Sequence, residues 1–338
     1  MKSMGCNPAR KLLAQTGMLR SAIAGLVIMA SSCGGMPEFD RAAFMGEPAQ
    51  AEGTSEALAP LTIVSIDVGQ GDSTLVVAPS GEAALIDAGP PGAGESEILP
   101  LLSSVGVARL EHLFITHYHE DHYGGAPELM HLLASGGAVY DRGEPVRDPE
   151  GAQYDLYERA AAGRRLAVHP GQRIDLGDAD LEILAAGGIL PDGTQIGLGE
   201  PPDENAASVA LLIEYAGFRM LVAADITGGG GTPPYETPDV ETLLAPFAGD
   251  VDVLRVAHHG SKTGTNAAFL AETRPEVAII SVGDENDYGH PHDEVIERLE
   301  GAGAEVYMTQ RGWLGVPGPH VGGDIRIEVS RDGSYEVR

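Results

Sequence analysis

The sequence is poor in aromatic residues and cysteine, and it lacks a long apolar segment. Aromatic residues make up only 5% of the 338 positions, so a core must be built mainly from Ala, Val, Leu and Ile. Only Cys6 and Cys33 are cysteines, and because both lie near the N-terminus they cannot staple a domain with disulfide bonds. No segment offers the ~20 consecutive apolar residues of a membrane-spanning helix, which excludes a multi-span channel.

Basic charge is also scarce. The chain has 21 Lys and Arg residues against 50 Asp and Glu residues, and its formal net charge is −29. A body of this sign repels polyanions at long range, so charge alone does not favour a nucleic acid as partner. A bound metal cluster can reverse that field locally. Glycine (46) and proline (23) are abundant, which indicates many tight turns.

The first 33 residues have the composition of an export signal. The only charged residues in 1–32 are basic, a short apolar run occupies 22–30, and small residues follow it. This order matches the n-region, h-region and small-residue site of a secretory signal. The string Ala-Ser-Ser-Cys that ends at Cys33 resembles the lipobox of bacterial lipoproteins. We therefore expect a signal peptide over 1–33, with Cys33 as the lipidated first residue of the mature chain.

The expected location follows from that signal. We expect an exported protein that is anchored by lipid in a bacterial envelope; plain secretion and a retained membrane anchor are the alternatives. Residues 34–60 are rich in Gly, Pro, Ala and Glu without periodicity, which is typical of a flexible tether. No linker divides the remainder, so 61–338 is predicted to form one domain.

Strand and helix patterns alternate along that domain. Three short strands joined by turns are followed by a helix, a strand and another helix, at 61–67, 73–78, 83–87, 95–104, 112–116 and 126–134. After a turn-rich stretch over about 138–200, a helix is predicted at 293–302 and the main strands at 181–185, 209–215, 220–224, 252–257, 276–282, 305–309 and 324–330. Two packed sheets with helices outside account for this order, which predicts an α/β (α+β) fold built as a four-layer αββα sandwich.

The strongest chemical signal is the string HYHEDH at 117–122, which follows a predicted strand and precedes two glycines. On an extended segment His117 and His119 point the same way, because side chains alternate. A turn after them would let Asp121 and His122 face a second ion nearby. Imidazole and carboxylate groups are suitable ligands for zinc, manganese or iron. The alternative, an exposed polar loop, does not account for four ligand-type residues so close together.

Other ligands must come from distant parts of the chain, because one loop cannot enclose two ions. Asp225 ends an apolar strand and is placed to bridge two metal ions, although a turn or helix-capping aspartate is the alternative. His258 and His259 follow another strand and precede Gly-Ser. Such a pair could supply one metal ligand and one substrate contact. We assign His259 as the ligand and His258 as the catalytic contact, although strand alternation does not distinguish them.

These strings together resemble a known family. The pattern His-x-His-x-Asp-His is similar to the signature of the metallo-β-lactamase fold superfamily. The order of the other strings resembles the hydrolase domain of ComEC-type competence proteins. They extend over most of 63–313 and comprise DVGQGDS at 67–73, LIDAG at 85–89, Asn205 with Ser208 and Val209, Ala224-Asp225, VAHHGS at 256–261, and SVG, Asn286 and YGHP within 281–291.

The resemblance implies a role for each matching residue. His117 and His119 would hold one metal ion, and Asp121 and His122 the other, with one of the two adjacent histidines beside them. Asp225 would bridge the ions.

Further roles are implied around these ligands. Asp87 would be a buried carboxylate that orients the ligand loop. His290 would lie at the cleft and touch the substrate or its leaving group. Asn205 and Ser208 occupy the place where other members of the superfamily bring a third histidine, which is missing here. His169 is a candidate substitute, but its Val-His-Pro context is more typical of an ordinary loop.

The expected function is hydrolysis assisted by two divalent ions, zinc first and manganese as the alternative. The ions would activate water, Asp121 or Asp225 would orient it, and His290 would help to stabilise an anionic transition state. A small-molecule or nucleic-acid phosphodiester is the preferred substrate, since ComEC-type domains are generally regarded as nucleases. The alternatives are another ester, such as a lactone, a β-lactam or a phosphocholine ester, and a non-catalytic metal-binding surface lipoprotein. No obligate protein partner is expected.

Overall fold

A computed structural model describes residues 59–146, 152–232, 236–284, 286–313 and 320–338. The predicted signal peptide with Cys33 and nearly all of the predicted tether lie outside the described residues. Within the described ranges, no helix is both long enough and apolar enough to cross a membrane.

Strands dominate the described residues and are joined by short helices. The strands are β1 Leu61–Ser65, β2 Thr74–Val77, β3 Ala83–Ile86, β4 Leu110–Phe114, β5 Leu133–Asp141, β6 Arg165–Ala167, β7 Arg173–Leu176, β8 Ala179–Ala185, β9 Ala210–Tyr215, β10 Phe218–Val222, β11 Val253–Arg255, β12 Val277–Ile280, β13 Glu305–Met308, β14 His320–Val321, β15 Ile325–Val329 and β16 Tyr335–Val337. The α-helices are α1 Leu99–Ser104, α2 Glu120–Tyr123, α3 Ala126–Leu129, α4 Ala152–Ala161, α5 Glu241–Ala248, α6 Ala267–Thr273 and α7 Asp293–Gly301.

The strands form two mixed sheets of eight strands each. The first sheet has the order β16-β15-β1-β2-β3-β4-β5-β6, and the second has the order β14-β13-β12-β11-β10-β9-β8-β7. Each sheet is antiparallel in one half and parallel in the other. In the first, β3, β4, β5 and β6 run parallel; in the second, β10 to β14 do.

Three clusters of buried apolar residues separate four layers. Along β9, Leu211 and Ile213 belong to the cluster between the two sheets, whereas Leu212 belongs to the cluster beneath α5, α6 and α7. A third cluster lies between the first sheet and the helices α1, α3 and α4. Because both faces of each sheet are covered, the central strands read as nearly continuous apolar runs. The predicted αββα sandwich is confirmed.

One predicted helix was too long. The helix expected at 126–134 ends as α3 at Leu129, a 3₁₀ turn covers Met130–Leu132, and β5 begins at Leu133. A short apolar run such as Leu-Leu-Ala fits a buried strand as well as a helix, so periodicity did not separate the two.

Other regular elements were not anticipated from the sequence. The stretch that reads as turn-rich contains the helix α4, whose Tyr154 and Tyr157 pack inward. Two further helices, α5 and α6, cover the second sheet between β10 and β12. Half of their Ala, Leu and Phe residues are alanines, which contribute little to a hydrophobic pattern.

Candidate metal centre

The candidate ligands lie where the strands of both sheets end at one edge of the sandwich. Asp87 directly follows β3, the 117–122 string follows β4 closely, and Asp225 follows β10. The His258-His259 pair follows β11. Because β3 and β4 are parallel, as are β10 and β11, their carboxyl ends meet at a common edge, the usual place for a site in such sheets.

One group of three side chains could hold a first ion. His117, His119 and Asp225 each offer a ligand atom, and these atoms lie within 4.8 Å of one another. The Nε2 atom of His117 is 3.0 Å from Nδ1 of His119 and 3.7 Å from Oδ2 of Asp225. The two histidines lie close together although β4 ends at Phe114, so they stand in the connection between β4 and α2 and not on a strand.

A second group could hold another ion. Asp121, His122 and His259 offer atoms that also lie within 4.8 Å of one another. Nε2 of His259 lies 3.3 Å from Oδ2 of Asp121 and 3.3 Å from Nε2 of His122. The structure therefore places His259, rather than its neighbour His258, against the second group.

Asp225 lies between the two groups. Its Oδ1 atom is 3.4 Å from Nε2 of His122, while its Oδ2 atom is 3.7 Å from Nε2 of His117. The residue is only 2% exposed, and Oδ1 has no hydrogen-bond partner among the described residues. This is the position that a bridging carboxylate requires.

The side chains present fit divalent ions. A buried carboxylate oxygen without a hydrogen bond is costly unless a cation compensates it. Around Asp225, imidazole nitrogens face one another at 3.0–3.3 Å, so each neutral pair can share only one proton. Imidazole and carboxylate donors in groups of three suit zinc and similar ions.

Asp87 anchors the ligand loop from below. Its Oδ1 accepts a hydrogen bond from the backbone N–H of Thr116 at 2.8 Å, and its Oδ2 accepts one from the Thr116 hydroxyl at 2.7 Å. Oδ2 is also 2.8 Å from Nδ1 of His122. With Nδ1 directed to this carboxylate, Nε2 of His122 faces the centre, as carboxylate-supported metal ligands do. Burial raises the pKa of Asp87, partly opposed by His122.

The two adjacent histidines occupy a tight turn. Both have left-handed backbone angles, with φ of 50° at His258 and 52° at His259, which side chains with a Cβ seldom adopt. Such strain persists where the surroundings overdetermine it, and it is concentrated at functional sites. His258 Nε2 lies 3.8 Å from Oδ2 of Asp225 and 3.3 Å from Nδ2 of Asn205. His258 therefore borders the first group, beside the amide that stands where a third histidine is absent.

A cleft of about 670 Å³ opens over both groups. His290 lines it, with its ring 5.3 Å from that of His258 and 6.2 Å from that of His259. Tyr288, which is 67% exposed, stacks on His290 at 5.7 Å. Among the described residues that line the cleft there is no Lys or Arg. Four of them are acidic: Glu120, Asp121, Asp225 and Asp287.

Burial and charge set the protonation of these groups. Burial opposes ionisation of Asp225, but the histidines His122 and His259 outweigh it and hold the pKa of that carboxyl well below its usual range. Burial likewise opposes protonation of His259, yet the carboxylates of Asp225 and Asp72 raise its pKa to about 10, so an ion bound at Nε2 would have to displace a proton. Burial, reinforced by neighbouring histidines, lowers the pKa of His290 to about 3, so its imidazole is neutral near pH 7.

One residue that the sequence offered as a candidate lies away from the cleft, and two residues near the centre were not predicted to have a role. His169 is exposed on its loop and does not line the cleft. Asp72 is buried beside His259, although the sequence had suggested no role for it. The available signal was an acid directly after Gly71 in a string that matched the family. Tyr288 lies in another matched string, but nothing in the sequence indicated its exposure.

Comparisons with known proteins agree with this site. The family model described as the metallo-beta-lactamase superfamily matches residues 66–284. ComE operon protein 3 of Bacillus subtilis is 30% identical over 264 residues, covering 73% of this chain and 31% of that protein. Recombination protein 2 of Haemophilus influenzae is 29% identical over 275 residues, covering 79% of this chain and 29% of that protein. The chain thus spans about a third of the length of these relatives.

Among solved structures, the metallo-beta-lactamase fold protein YhfI from Bacillus subtilis is similar at a TM-score of 0.46 and 14% identity, over 74% of this chain and 98% of that one. The family match covers more than half of the present chain and includes all three candidate-ligand segments. The chain therefore belongs to the metallo-β-lactamase superfamily, whose members are typically metal-dependent hydrolases.

Proposed function

We propose that the protein is an exported phosphodiesterase that uses two divalent ions, zinc or manganese, at this centre. The observation that carries the proposal is the placement of Asp225 between two groups of three potential ligands. Two ions held a few ångströms apart suit in-line displacement at phosphorus, because both the attacking and the leaving oxygen can be stabilised. Resemblance to ComEC-type hydrolase domains points to the same chemistry.

His117, His119 and Asp225 would hold one ion, and Asp121, His122 and His259 the other, with Asp225 shared. When bound, such ions supply an activated water and stabilise negative charge on the phosphoryl oxygens. Water would attack phosphorus, the bond to the leaving oxygen would break, and that oxygen would take up a proton.

The chain's own residues would align the reaction. Asp121 lines the cleft and is ionised, because His122 and His259 outweigh its burial and hold its pKa at about 2; it can accept a hydrogen bond from the attacking water. The neutral imidazole of His290 can donate its ring N–H to an anionic substrate oxygen. His258, within 3.3 Å of the Asn205 amide, borders the cleft beside Asp225.

Metal analysis and a substrate panel test this proposal. The wild type should bind about two ions and hydrolyse bis(4-nitrophenyl) phosphate, and His119→Ala should lose one ion and most activity. His131→Ala, which removes an exposed histidine, serves as the matched control and should change neither. His290→Ala should lower turnover and leave the metal content unchanged. A wild type that binds no ion, or full activity in His119→Ala, would contradict the proposal.

A second candidate function has specific support. The cleft wall contains acidic residues and no Lys or Arg among its described residues, which does not suit a long polyanion. Hydrolysis of a small ester, such as a lactone, a β-lactam or a phosphocholine ester, is therefore the alternative. Measuring kcat/KM on these substrates and on single-stranded DNA, with the same preparation, ranks the candidates.

Export and anchoring form a separate part of the proposal, supported by the signal-like composition of 1–33 alone. Labelled fatty acid should enter the wild type and Cys6→Ser, but not Cys33→Ser. Equal labelling of the two variants would exclude a lipid anchor at Cys33.

A further inference from the structure

The string DVGQGDS at 67–73 ends beside the metal centre, and the second of its two aspartates, Asp72, has no role in the chemistry above. Asp72 is buried, and its carboxylate accepts a hydrogen bond from Arg255, whose side chain is completely buried at the end of β11. The two residues are 183 positions apart in the sequence. A buried ion pair of this kind costs desolvation energy and is therefore weak evidence for a purely stabilising role.

Asp72 also faces one of the proposed ligands. Its Oδ1 lies 3.3 Å from Nδ1 of His259, and the carbonyl oxygen of Ser281 lies 3.0 Å from the same nitrogen. A carbonyl can only accept, so Nδ1 must carry the hydrogen, which it donates to Ser281 with the Asp72 carboxylate beside it. In the neutral ring the lone pair is then on Nε2, the atom that faces Asp121 and His122.

A buried carboxylate near Nδ1 is also found at His122. There Asp87 meets Nδ1 at 2.8 Å and leaves Nε2 directed to the centre. Each histidine of the second group thus has a buried carboxylate beside Nδ1, hydrogen-bonded to His122 and 3.3 Å from His259. Although Asp72 lies close enough to be counted with Asp225 and His259 in a potential ligand group, it faces Nδ1 and is already neutralised by Arg255. It acts through the histidine and is not itself a ligand.

The backbone of the same loop touches Asp121. The N–H of Asp72 donates to the carbonyl oxygen of Asp121 at 3.1 Å. A Cβ at Gly71 would clash with that carbonyl oxygen, so only glycine allows this approach. Two of the three members of the second group, Asp121 and His259, are therefore contacted by Gly71-Asp72.

We propose that Asp72 and Arg255 form a positioning pair that orients His259 and selectively sets the affinity of the second ion. This rests on the proposed two-ion function. Loss of a carboxylate that orients a metal-bound histidine typically lowers metal affinity 10–100-fold, so about that loss is expected at one ion only.

Co²⁺ titration of the purified full-length chain, followed by visible absorption and by metal analysis, tests the pair. Asp72→Asn should retain one ion at wild-type affinity and bind the second about 10–100-fold more weakly. Arg255→Lys, which retains the positive charge, should weaken binding of the second ion less than Asp72→Asn does. Asp141→Asn is the matched control: Asp141 is a similarly buried carboxylate, and its side-chain hydrogen-bond partners are Arg165, at 2.7 Å, and Tyr157 instead of a proposed ligand. It should retain both ions even if it lowers the melting temperature.

Each outcome is decisive. Wild-type affinity for both ions in Asp72→Asn would overturn the positioning role, and so would equal metal loss in Asp72→Asn and Asp141→Asn. A wild type that binds no ion would overturn the proposed function as well. If Asp72→Asn does not fold, nitrogen NMR of the zinc-loaded wild type replaces it. A protonated Nδ1 in His259 is expected, and a zinc-bound Nδ1 would exclude the proposal.

Discussion

At the scale of single residues, the site depends on which nitrogen of each histidine carries the proton. His122 and His259 face the centre through Nε2 because oxygen acceptors lie at Nδ1. A ligand nitrogen must have a free lone pair, so the acceptors determine whether the residue can bind an ion at all. The chemistry of the centre is thus determined partly by groups that would never touch a metal.

The substitution Asp87→Asn tests this dependence. Asn tolerates the left-handed backbone at position 87, where φ is 59°, so the fold should survive. Its oxygen can still accept from the Thr116 N–H, but its NH₂ would then face Nδ1 of His122 as a donor. The proton of His122 would move to Nε2 and block the ligand atom. We expect about 10–100-fold weaker binding of the second ion by Co²⁺ titration. Unchanged affinity would show that the tautomer of His122 is set elsewhere.

A buried carboxyl away from the centre predicts a pH effect on stability. Burial raises the pKa of Glu241 from its usual 4.5 to about 7, although the backbone N–H groups of Thr265 and Asn266 donate to it. Between these two values the folded state binds more protons than the unfolded state, so this group makes stability fall as pH rises from about 4.5 to 7. The full shift corresponds to on the order of 3 kcal/mol.

Urea unfolding at several pH values, compared between wild type and Glu241→Gln, isolates this contribution. The wild type should lose more stability than the variant between pH 5 and pH 8. The comparison removes the contribution of the histidine cluster, which is common to both proteins. Parallel curves for the two proteins would show that Glu241 titrates normally.

At the scale of elements, the centre is assembled by loops that begin where buried strands end. The sequence was informative about these strands, because apolar runs bounded by glycine and polar residues are conspicuous. It also predicted that His117 and His119 share a side. It did not distinguish His258 from His259, because the two lie in a left-handed turn, where strand alternation does not apply. Small helices such as α6 escaped prediction because alanine carries little amphipathic signal.

A pair of glycine substitutions tests how closely one loop controls the centre. Gly69 and Gly71 both have positive φ, of 73° and 142°, but only a Cβ at Gly71 would meet a neighbour, the carbonyl oxygen of Asp121. Gly69→Ala should cost about 1–2 kcal/mol of stability, because Ala resists a positive φ, and should leave activity intact. Gly71→Ala should also displace Asp121, and a shift near 1 Å can lower the rate about 100-fold. Equal kcat values in the two variants, measured at saturating metal, would contradict this.

At the scale of the whole molecule, the net charge and the composition of the cleft both oppose the binding of an anionic substrate. The proposed substrates are anionic, yet the net charge is −29 and the described cleft wall has four acids and no Lys or Arg. Bound divalent ions would supply positive charge at the reaction centre, but they would not offset repulsion over longer distances. Binding of a phosphodiester should therefore be limited by approach, and more strongly so for a polymer than for a small molecule.

Ionic strength provides the test. The Debye length falls from about 30 Å at 0.01 M to about 8 Å at 0.15 M, so added salt should screen the repulsion. We expect KM for an anionic phosphodiester to fall by up to about tenfold over this range, with kcat nearly constant. A neutral lactone, if hydrolysed, should show no such change, and Asp287→Asn should reduce the salt effect because Asp287 lies on the cleft wall.

If salt instead weakens binding of single-stranded DNA, phosphate contacts with a basic surface outweigh the net charge, as they do in proteins that track nucleic acid. That result would favour a nuclease, whereas a fall in KM for a small phosphodiester without binding of DNA would favour a small-molecule phosphodiesterase.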